Sequence, residues 1–594
     1  MKTLILNTFS TFSTFPMFNP AYLKGYLLRD GIECEHIDIN QIVWNKLLSK
    51  DFLQSLVFNK NRISETPFPY SIIYSEADFV YTKKKVIKRI EYAISILREK
   101  DGLTIRNLQF AQGIIFRALN LIYASYGTFF MTNIPFWAKI GYDCRDIEKI
   151  YSIALDRKRN PLVSIIEEFI ISQIIPASPQ VILVDILFPW DIIPALTMNV
   201  LIKKHLPNCH INYSGLGFDE FSFSRLEKHL KINNKMFFGF DSIFVYRNDS
   251  GVVELIKRIR SKTNLNNIEN LYWSSSGEIR SNYINKNKYF DDTVLPNYDD
   301  IDWSKYFVPE RIVTDRLSYR CFWAKCSFCS INSNKILEHT SSVQVQVHKL
   351  QEIKEKYGIS NFWFLDEACP IPFAVSVAKE IEHWEISWSL RTRLESTLTK
   401  SNLDLLARAG LKELWIGLEH VSERILFLMN KSSTINQYQP LAKEVIHNAS
   451  NAGIGLHFCH ILGFPSETDE DRQQVLDFYL ACRENLCKKP FFTTFNIFGL
   501  MLGSPMISHP EKYGIINIFD SEEMFLMMKV PYKTIYDDDT DNPVIIKNLQ
   551  DWSGKYLQSI VSKKSLLPLW LSIADTPYEF FLKKYYQSNP FVQE

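Results

Sequence analysis

The sequence predicts an α/β protein: an N-terminal doubly wound, Rossmann-like domain with a helical insertion, then a partial (β/α)6 TIM-type barrel and a small helical C-terminal region. Three observations carry this. Short apolar strand candidates alternate with helical patterns near the start of the chain and again up to residue 262. Six further strand candidates recur at barrel-like spacing after residue 309. Three cysteines fall within nine residues directly after the first of those six.

At 594 residues the chain exceeds one hydrophobic core, and domains of roughly 100–200 residues imply two to four units. Hydrophobic residues make up 46% and charged residues 22%, with 42 Phe and 28 Tyr, which is globular usage and excludes disorder over most of the length. Lys plus Arg number 67 against 66 Asp plus Glu, so the net field gives no reason to expect nucleic acid or an anionic membrane as partner. The apolar run Met1–Asn7 is too short for a signal-peptide core. The most apolar later stretch, around Val181–Leu196, is broken by Asp185, Pro189 and Asp191 and cannot span a bilayer as one helix. A cytoplasmic location is the expectation. Ten cysteines, three of them clustered, argue for a metal or cluster site in a reducing compartment rather than a disulfide framework.

Taken in order, Thr3–Phe9 reads as a strand, Pro20–Asp30 as a helix and Cys34–Asn40 as a second strand, the opening of a βαβ unit. Residues 41–175 lose that alternation and carry long helical patterns such as Lys83–Glu99 and Ile147–Leu155, a largely helical insertion. The rhythm resumes with strand Val181–Phe188, helix Pro194–Leu206, strands His210–Gly217 and Ser242–Arg247, and helix Val252–Ser261. The first domain is therefore 1–262. The polar, turn-rich stretch 263–308 reads as a linker.

The barrel, 309–502, is built on strands Arg311–Arg320, Ser360–Leu365, Ile386–Arg391, Glu413–Leu418, Gly455–Ile461 and Phe492–Phe498. Helical patterns Val343–Tyr357, Ala374–Trp384, Ser401–Ala409, Gln439–Ala452 and Glu470–Asn485 lie between them. The C-terminal region, 503–594, has an acidic turn at Asp537–Asp541 and then helical patterns.

Cys321, Cys326 and Cys329 form a C-x4-C-x2-C triplet. Three thiolates on one short loop can each take a corner of a [4Fe-4S] cube, leaving the fourth iron without a protein ligand. That open corner suits a bidentate amino acid group. A zinc site would need a fourth Cys or His, and no second C-x2-C pair follows; His339, ten residues on, is the remaining candidate.

The segment from Ser318 to Cys329, with its Cys-Phe-Trp opening, resembles the cluster loop of radical S-adenosylmethionine (SAM) enzymes, specifically those with an N-terminal cobalamin-binding-like domain. The family's usual spacing is C-x3-C-x2-C, so this loop carries one extra residue. Further matches fall at the ends of successive strands. Leu365-Asp366-Glu367 ends strand two, Arg391-Thr392-Arg393 strand three, Trp415-Ile416-Gly417-Leu418-Glu419 strand four, and Gly463-Phe464-Pro465-Ser466-Glu467-Thr468 follows strand five. The carboxyl ends of barrel strands are where such folds keep their sites.

The resemblance implies a [4Fe-4S] cluster on Cys321, Cys326 and Cys329, and SAM as the second cofactor. Asp366 and Glu367 would face the methionine part of SAM, Glu419 would accept from its ribose, and Arg393 would orient its carboxylate or a neighbouring acid. Gly463 would admit the adenine to close backbone approach. The plainer readings stand beside these: Arg393 with Glu419 as an ion pair closing the barrel mouth, Gly463 as a turn glycine before Pro465, and Cys369 as a buried small residue.

Residues 1–40 with about 176–262 resemble the cobalamin-binding-like domain, with Asn19–Leu27 as its first helix and Gly215 and Gly217 in the position of its Gly-rich turn. An ordinary strand-exit turn explains those two glycines equally well. The Asp-x-His-x-x-Gly signature of an axial histidine is absent, since Ser10–Phe18 contains no histidine. Cobalamin therefore stays an open third cofactor, and it decides the reaction: methylation if it binds, epimerisation, cross-linking or cyclisation if it does not. The layout is most similar to enzymes that mature peptides or other natural products, with flavodoxin or ferredoxin as the expected electron donor. A tRNA methylthiotransferase-like enzyme ranks lower, because Cys34, Cys144 and Cys209 are far apart and the Asp537–Asp541 run has the wrong sign for RNA. A non-enzymatic metal-binding module ranks lowest.

Overall fold

The computed structural model describes residues 2–9, 13–61, 72–73, 75–101, 103–127, 129–131, 138–140, 147–186, 191–214, 234–245, 248–275, 277–284, 291–333, 339–486, 488–519, 529–535 and 577–586. The chain divides into two compact units at Glu310/Arg311.

The first unit is built on a seven-stranded sheet. Thr3–Asn7 and Val181–Asp185 are apolar on both faces and buried throughout, the pattern of strands covered on both sides. Cys34–Asp38 pairs parallel with the first of these, and Val181–Asp185 pairs with its other edge in parallel. His210–Tyr213 and Ser242–Phe244 extend the parallel sheet. The strand order thus reverses at Thr3–Asn7, which creates a crevice at the carboxyl ends of the first and third strands. The helix Phe18–Arg29 connects the first two strands and ends at Gly31, whose φ of +73° lets Ile32 N–H return to Leu27 O at 2.8 Å.

The segment read as a linker is part of this unit. Leu271–Ser275 and Glu278–Ser281 add two antiparallel strands at the sheet edge, and Leu271 and Trp273 join the core with Ile5, Leu27, Val181, Leu183 and Ile256. Further on, Asn297 N–H reaches Ala21 O at 2.9 Å and Asp300 pairs with Lys24. A run of only three consecutive apolar residues, Leu271–Trp273, set in polar, Asn-rich sequence hid these strands.

Between the second and third strands the chain is mainly helical: Ile39–Leu47, Lys50–Ser55, Glu76–Arg98, Ile105–Tyr126, Ile147–Leu155 and Leu162–Phe169, with a short antiparallel pair at Phe129–Met131 and Ala138–Ile140. Ser75 and Thr104 cap the two long helices through Asp78 N–H and Asn107 N–H.

The second unit is the open barrel. Its six parallel strands are Val313–Asp315, Asn361–Phe364, Ser387–Arg393, Leu411–Glu419, Gly455–Leu462 and Phe491–Ile497, in sequential order. Helices Val343–Tyr357, Ile371–Ile381, Lys400–Arg408, Tyr438–Asn451 and Asp469–Leu486 alternate with them. The first strand is shorter than expected, because Arg316 onward turns away, with Ser318–Tyr319 pairing against His339–Thr340 before Cys321 bridges back to Ala368. The C-terminal helix Pro577–Tyr585 packs at the amino ends of strands four and five: Lys583 is buried against Glu413 at 3.0 Å and beneath Gly455, where a Cβ would lie 2.5 Å from the Lys583 Cγ. The Asp537–Asp541 turn lies outside the described residues.

Candidate active site

The cysteine loop leaves the first barrel strand over a fixed base. Asp315 holds Lys349 in a fully buried pair at 3.0 Å. Asp366 accepts from Ser318 N–H at 2.6 Å and Ser318 Oγ at 2.8 Å, and Glu367 accepts from Arg320 N–H at 3.2 Å and pairs with Arg316 at 3.1 Å. Both acids at the end of strand two are therefore engaged with the chain that leads into the loop. Burial raises the Asp366 carboxyl to about 6 in spite of the hydrogen bonds it accepts. Cys321 pairs in parallel with Ala368, continuing the strand pairing to the first cysteine.

The loop then turns through left-handed residues, Arg320 at φ +73° and Ala324 at φ +46°. Cys326 is buried, Cys321 and Cys329 half-buried, and Cys329 N–H returns to Cys326 O at 3.3 Å. Burial pushes the Cys329 thiol up to about 11, and the neighbouring Cys326 and Cys321 push in the same direction. The three sulfurs thus lie within electrostatic reach of one another, and metal binding there must displace protons. Among the described residues no group of three or more His, Cys, Asp or Glu is close enough to share a single metal ion. A cube that takes each thiolate on a different iron suits three thiols set apart on one loop, and the side chain of His339 lies outside the described residues.

Two buried cations face this loop. Arg393, at the end of strand three, lies with its guanidinium carbon 4.0 Å from the Trp323 ring centroid and pairs with Glu395 at 2.9 Å. It donates to Lys431 O, while its Nη1 is buried without a hydrogen-bond partner among the described residues. Arg393 and Glu419 do not form the ion pair that is the plainer reading of these two residues. Glu419, at φ +61°, instead accepts from Lys431 Nζ at 3.0 Å. Burial opposes the charge on Lys431, but Glu419 and the Cys326 thiol hold its pKa above the ordinary value. Gly417 makes room for the pair: a Cβ there would lie 2.7 Å from Glu419 Oε1 and 3.1 Å from Lys431 Nζ. Lys431 was not legible in the sequence, where it is one lysine after an apolar run.

At strand five, Gly463 adopts φ +73° and its N–H donates to Glu467 Oε2 at 2.6 Å. Glu467 also meets His420 at 3.2 Å and Arg472 at 3.0 Å. Ser422 N–H donates to His420 Nδ1 at 2.9 Å, so Nε2 carries the proton towards Glu467. Gly463 is thus a true left-handed turn glycine, at the rim where the other strand ends converge.

In the first unit, Gly215 and Gly217 lie outside the described residues. At the carboxyl edge of that sheet, Ser13 and Ser214 are buried with hydroxyls that have no hydrogen-bond partner among the described residues. Two unsatisfied hydroxyls at a sheet's carboxyl edge are suited to a polar cofactor tail. Cys34 and Cys209 lie at strands two and four of the sheet, separated by two intervening strands and therefore about 14 Å apart at ~4.8 Å per strand. Cys144 lies outside the described residues.

Residues 316–479 match the Radical SAM superfamily model, a span that contains the three cysteines and every barrel residue named above from Asp366 to Gly463. Over this span the chain is similar to the Radical SAM superfamily. The whole chain shares its fold with solved cobalamin-dependent members. It is similar to the radical SAM methyltransferase TsrM of Kitasatospora setae, solved with tryptophan and a SAM analogue, at 13% identity and TM-score 0.51 over 85% of this chain and 74% of that one. It is also similar to apo OxsB, a cobalamin-dependent SAM radical enzyme, at 15% identity and TM-score 0.56 over 98% of this chain and 72% of that one. The first unit accordingly has a doubly wound α/β fold of the kind found in these proteins. Among curated sequences, a tRNA-2-methylthio-N(6)-dimethylallyladenosine synthase of Petrotoga mobilis is 24% identical over 172 residues, 27% of this chain. The match spans only 38% of that relative's length. Among the described residues no helix is long and apolar enough to cross a membrane.

Proposed function

We propose that this protein reductively cleaves SAM at a [4Fe-4S] cluster to modify a peptide or other natural-product substrate, with cobalamin-dependent methylation as the leading reaction. The observation that carries the proposal is the set of three free thiols on the loop that leaves the first barrel strand, faced by the Glu419–Lys431 pair and by Arg393, whose Nη1 has no hydrogen-bond partner among the described residues.

Cys321, Cys326 and Cys329 would hold the cluster, and Arg393, Glu419 and Lys431 would receive the charged groups of SAM. The backbone at Gly463 would border the adenine. Asp366 and Glu367 act through the chain they fasten, keeping the first cysteine in register with strand two. Cluster and SAM, when bound, supply one-electron cleavage and hydrogen abstraction. The chain itself holds the thiols, balances charge around them and narrows access by water. Ser13 and Ser214, with the loop containing Gly215 and Gly217, would take the tail of cobalamin. The reductant is a small one-electron carrier such as flavodoxin or ferredoxin, and the working location is the cytoplasm.

A cobalamin-free epimerase or cyclase remains the alternative on the same barrel. The curated relatives favour a tRNA methylthiotransferase reading over part of the barrel, but the separation of Cys34 from Cys209 speaks against a second cluster on that pair. Anaerobic purification with cobalamin supplied, followed by cofactor analysis, separates the branches: bound corrin selects methylation. Cys326→Ala is expected to abolish both iron–sulfur absorbance and SAM cleavage; a variant that kept a reducible cluster and full turnover would sink the assignment.

A further inference from the structure

The loop holds four residues between Cys321 and Cys326, one more than the usual spacing, and the structure gives that extra length specific contacts. Ala324 takes a left-handed turn, φ +46°. Beside it the Trp323 indole Nε1–H donates to Asn430 O at 2.9 Å, and Asn430 Nδ2 returns a bond to Lys325 O at 2.9 Å. Just beyond, Ser327 N–H donates to Met429 O at 2.9 Å and Ser327 Oγ to Leu428 O at 2.9 Å. Both residues adjoining Ala324 are thus tied to the turn that follows the short helix Glu423–Leu428. On the other side, Arg393 lies 4.0 Å from the Trp323 ring centroid while donating to Lys431 O. Lys325 Nζ lies 5.0 Å from the same ring. One indole therefore joins three pieces of chain: the cysteine loop, the end of strand three and the Leu428–Lys431 turn.

We propose that the extra residue builds a clasp, in which Trp323 locks the cysteine loop to Arg393 and to Asn430 and so holds Cys321 and Cys326 in the shape that retains iron. The inference rests on the reading of the loop as a cluster site. Partners that orient a metal's ligands govern how firmly the metal would be held. Trp323 is a positioning residue here: its bonds all run to protein groups. The hydrogen bonds to the Leu428–Asn430 turn span more than 100 residues of sequence, and retention of iron gives the clasp a readout apart from turnover.

The test uses the full chain, reconstituted anaerobically with iron and sulfide, then exposed to a ferrous chelator while the cluster absorbance is followed. Trp323→Phe keeps an aromatic ring under Arg393 but removes the N–H that Asn430 O accepts. Asn430→Gly removes only the side-chain bond to Lys325 and accepts the φ of +50° found at that position. Iron loss is expected at least tenfold faster in Trp323→Phe and several-fold faster in Asn430→Gly, with the urea midpoint of both variants equal to that of the parent. Equal iron-loss rates in Trp323→Phe and parent overturn the clasp, as does acceleration matched by a general loss of stability. If Trp323→Phe yields no folded protein, Asn430→Gly decides alone, and a parent-like rate overturns the proposal. A parent protein that takes up no iron would instead overturn the cluster reading itself.

Discussion

Glu419 accepts a 3.0 Å ion pair from Lys431 in a space that exists because residue 417 is glycine. The pair is nearly buried, lies beside the cysteine loop, and joins the end of strand four to the turn that grips that loop. Its position makes several consequences measurable.

Gly417→Ala should drive a methyl group into the pair, since its Cβ would stand 2.7 Å from Glu419 Oε1. Overpacking of this kind costs about 1–3 kcal/mol. The expected result is a modest fall in urea stability together with at least tenfold weaker SAM binding to the reconstituted protein, read by equilibrium dialysis. Unchanged SAM binding would remove Glu419 and Lys431 from the binding site.

Lys431→Met removes a positive charge that acts on Cys326. Reduction adds an electron to the cluster, so loss of a nearby cation should lower the potential, on the order of 59 mV for a tenfold change in a one-electron couple. Redox titration followed by electron paramagnetic resonance measures this directly. Lys431→Arg should restore the parent value.

Asp366 supplies a pH test. Its carboxyl is raised by burial from 3.8 to about 6, so the folded protein binds more protons than the unfolded chain between those values. Stability contributed by this group therefore falls as pH rises from about 4 to about 6. Asp366→Asn keeps an acceptor for Ser318 and removes the titration. Urea midpoints across that interval should fall less steeply with pH in the variant than in the parent; identical slopes would refute the assignment.

Lys583→Met should be severe. The lysine is fully buried between Glu413 and Glu579, and Glu579 also meets His457 Nδ1 at 2.7 Å. Breaking a buried pair by removing one partner costs about 3–5 kcal/mol. Chemical denaturation should show a loss of that size, with Glu413→Gln/Lys583→Met recovering part of it as the double-mutant cycle requires.

The three cysteines and the barrel strands were legible because their signals are local: spacing within a loop, and apolar runs punctuated by turns. Strand four, expected over Glu413–Leu418, forms over Leu411–Glu419, and strand five, expected over Gly455–Ile461, forms over Gly455–Leu462. The segment read as a linker failed that test, since Leu271 and Trp273 are core residues embedded in polar sequence.

By itself the sequence determined the α/β class, the order of the barrel strands and the placement of Cys321, Cys326 and Cys329 after the first of them. Tertiary structure alone decided the partners. It paired Glu419 with Lys431 rather than Arg393, committed Asp366 to Ser318, and set Trp323 between Arg393 and Asn430. Periodicity records which face of an element is buried, whereas the partner of a buried charge or ring is fixed by which distant strand end folding brings within a few ångströms.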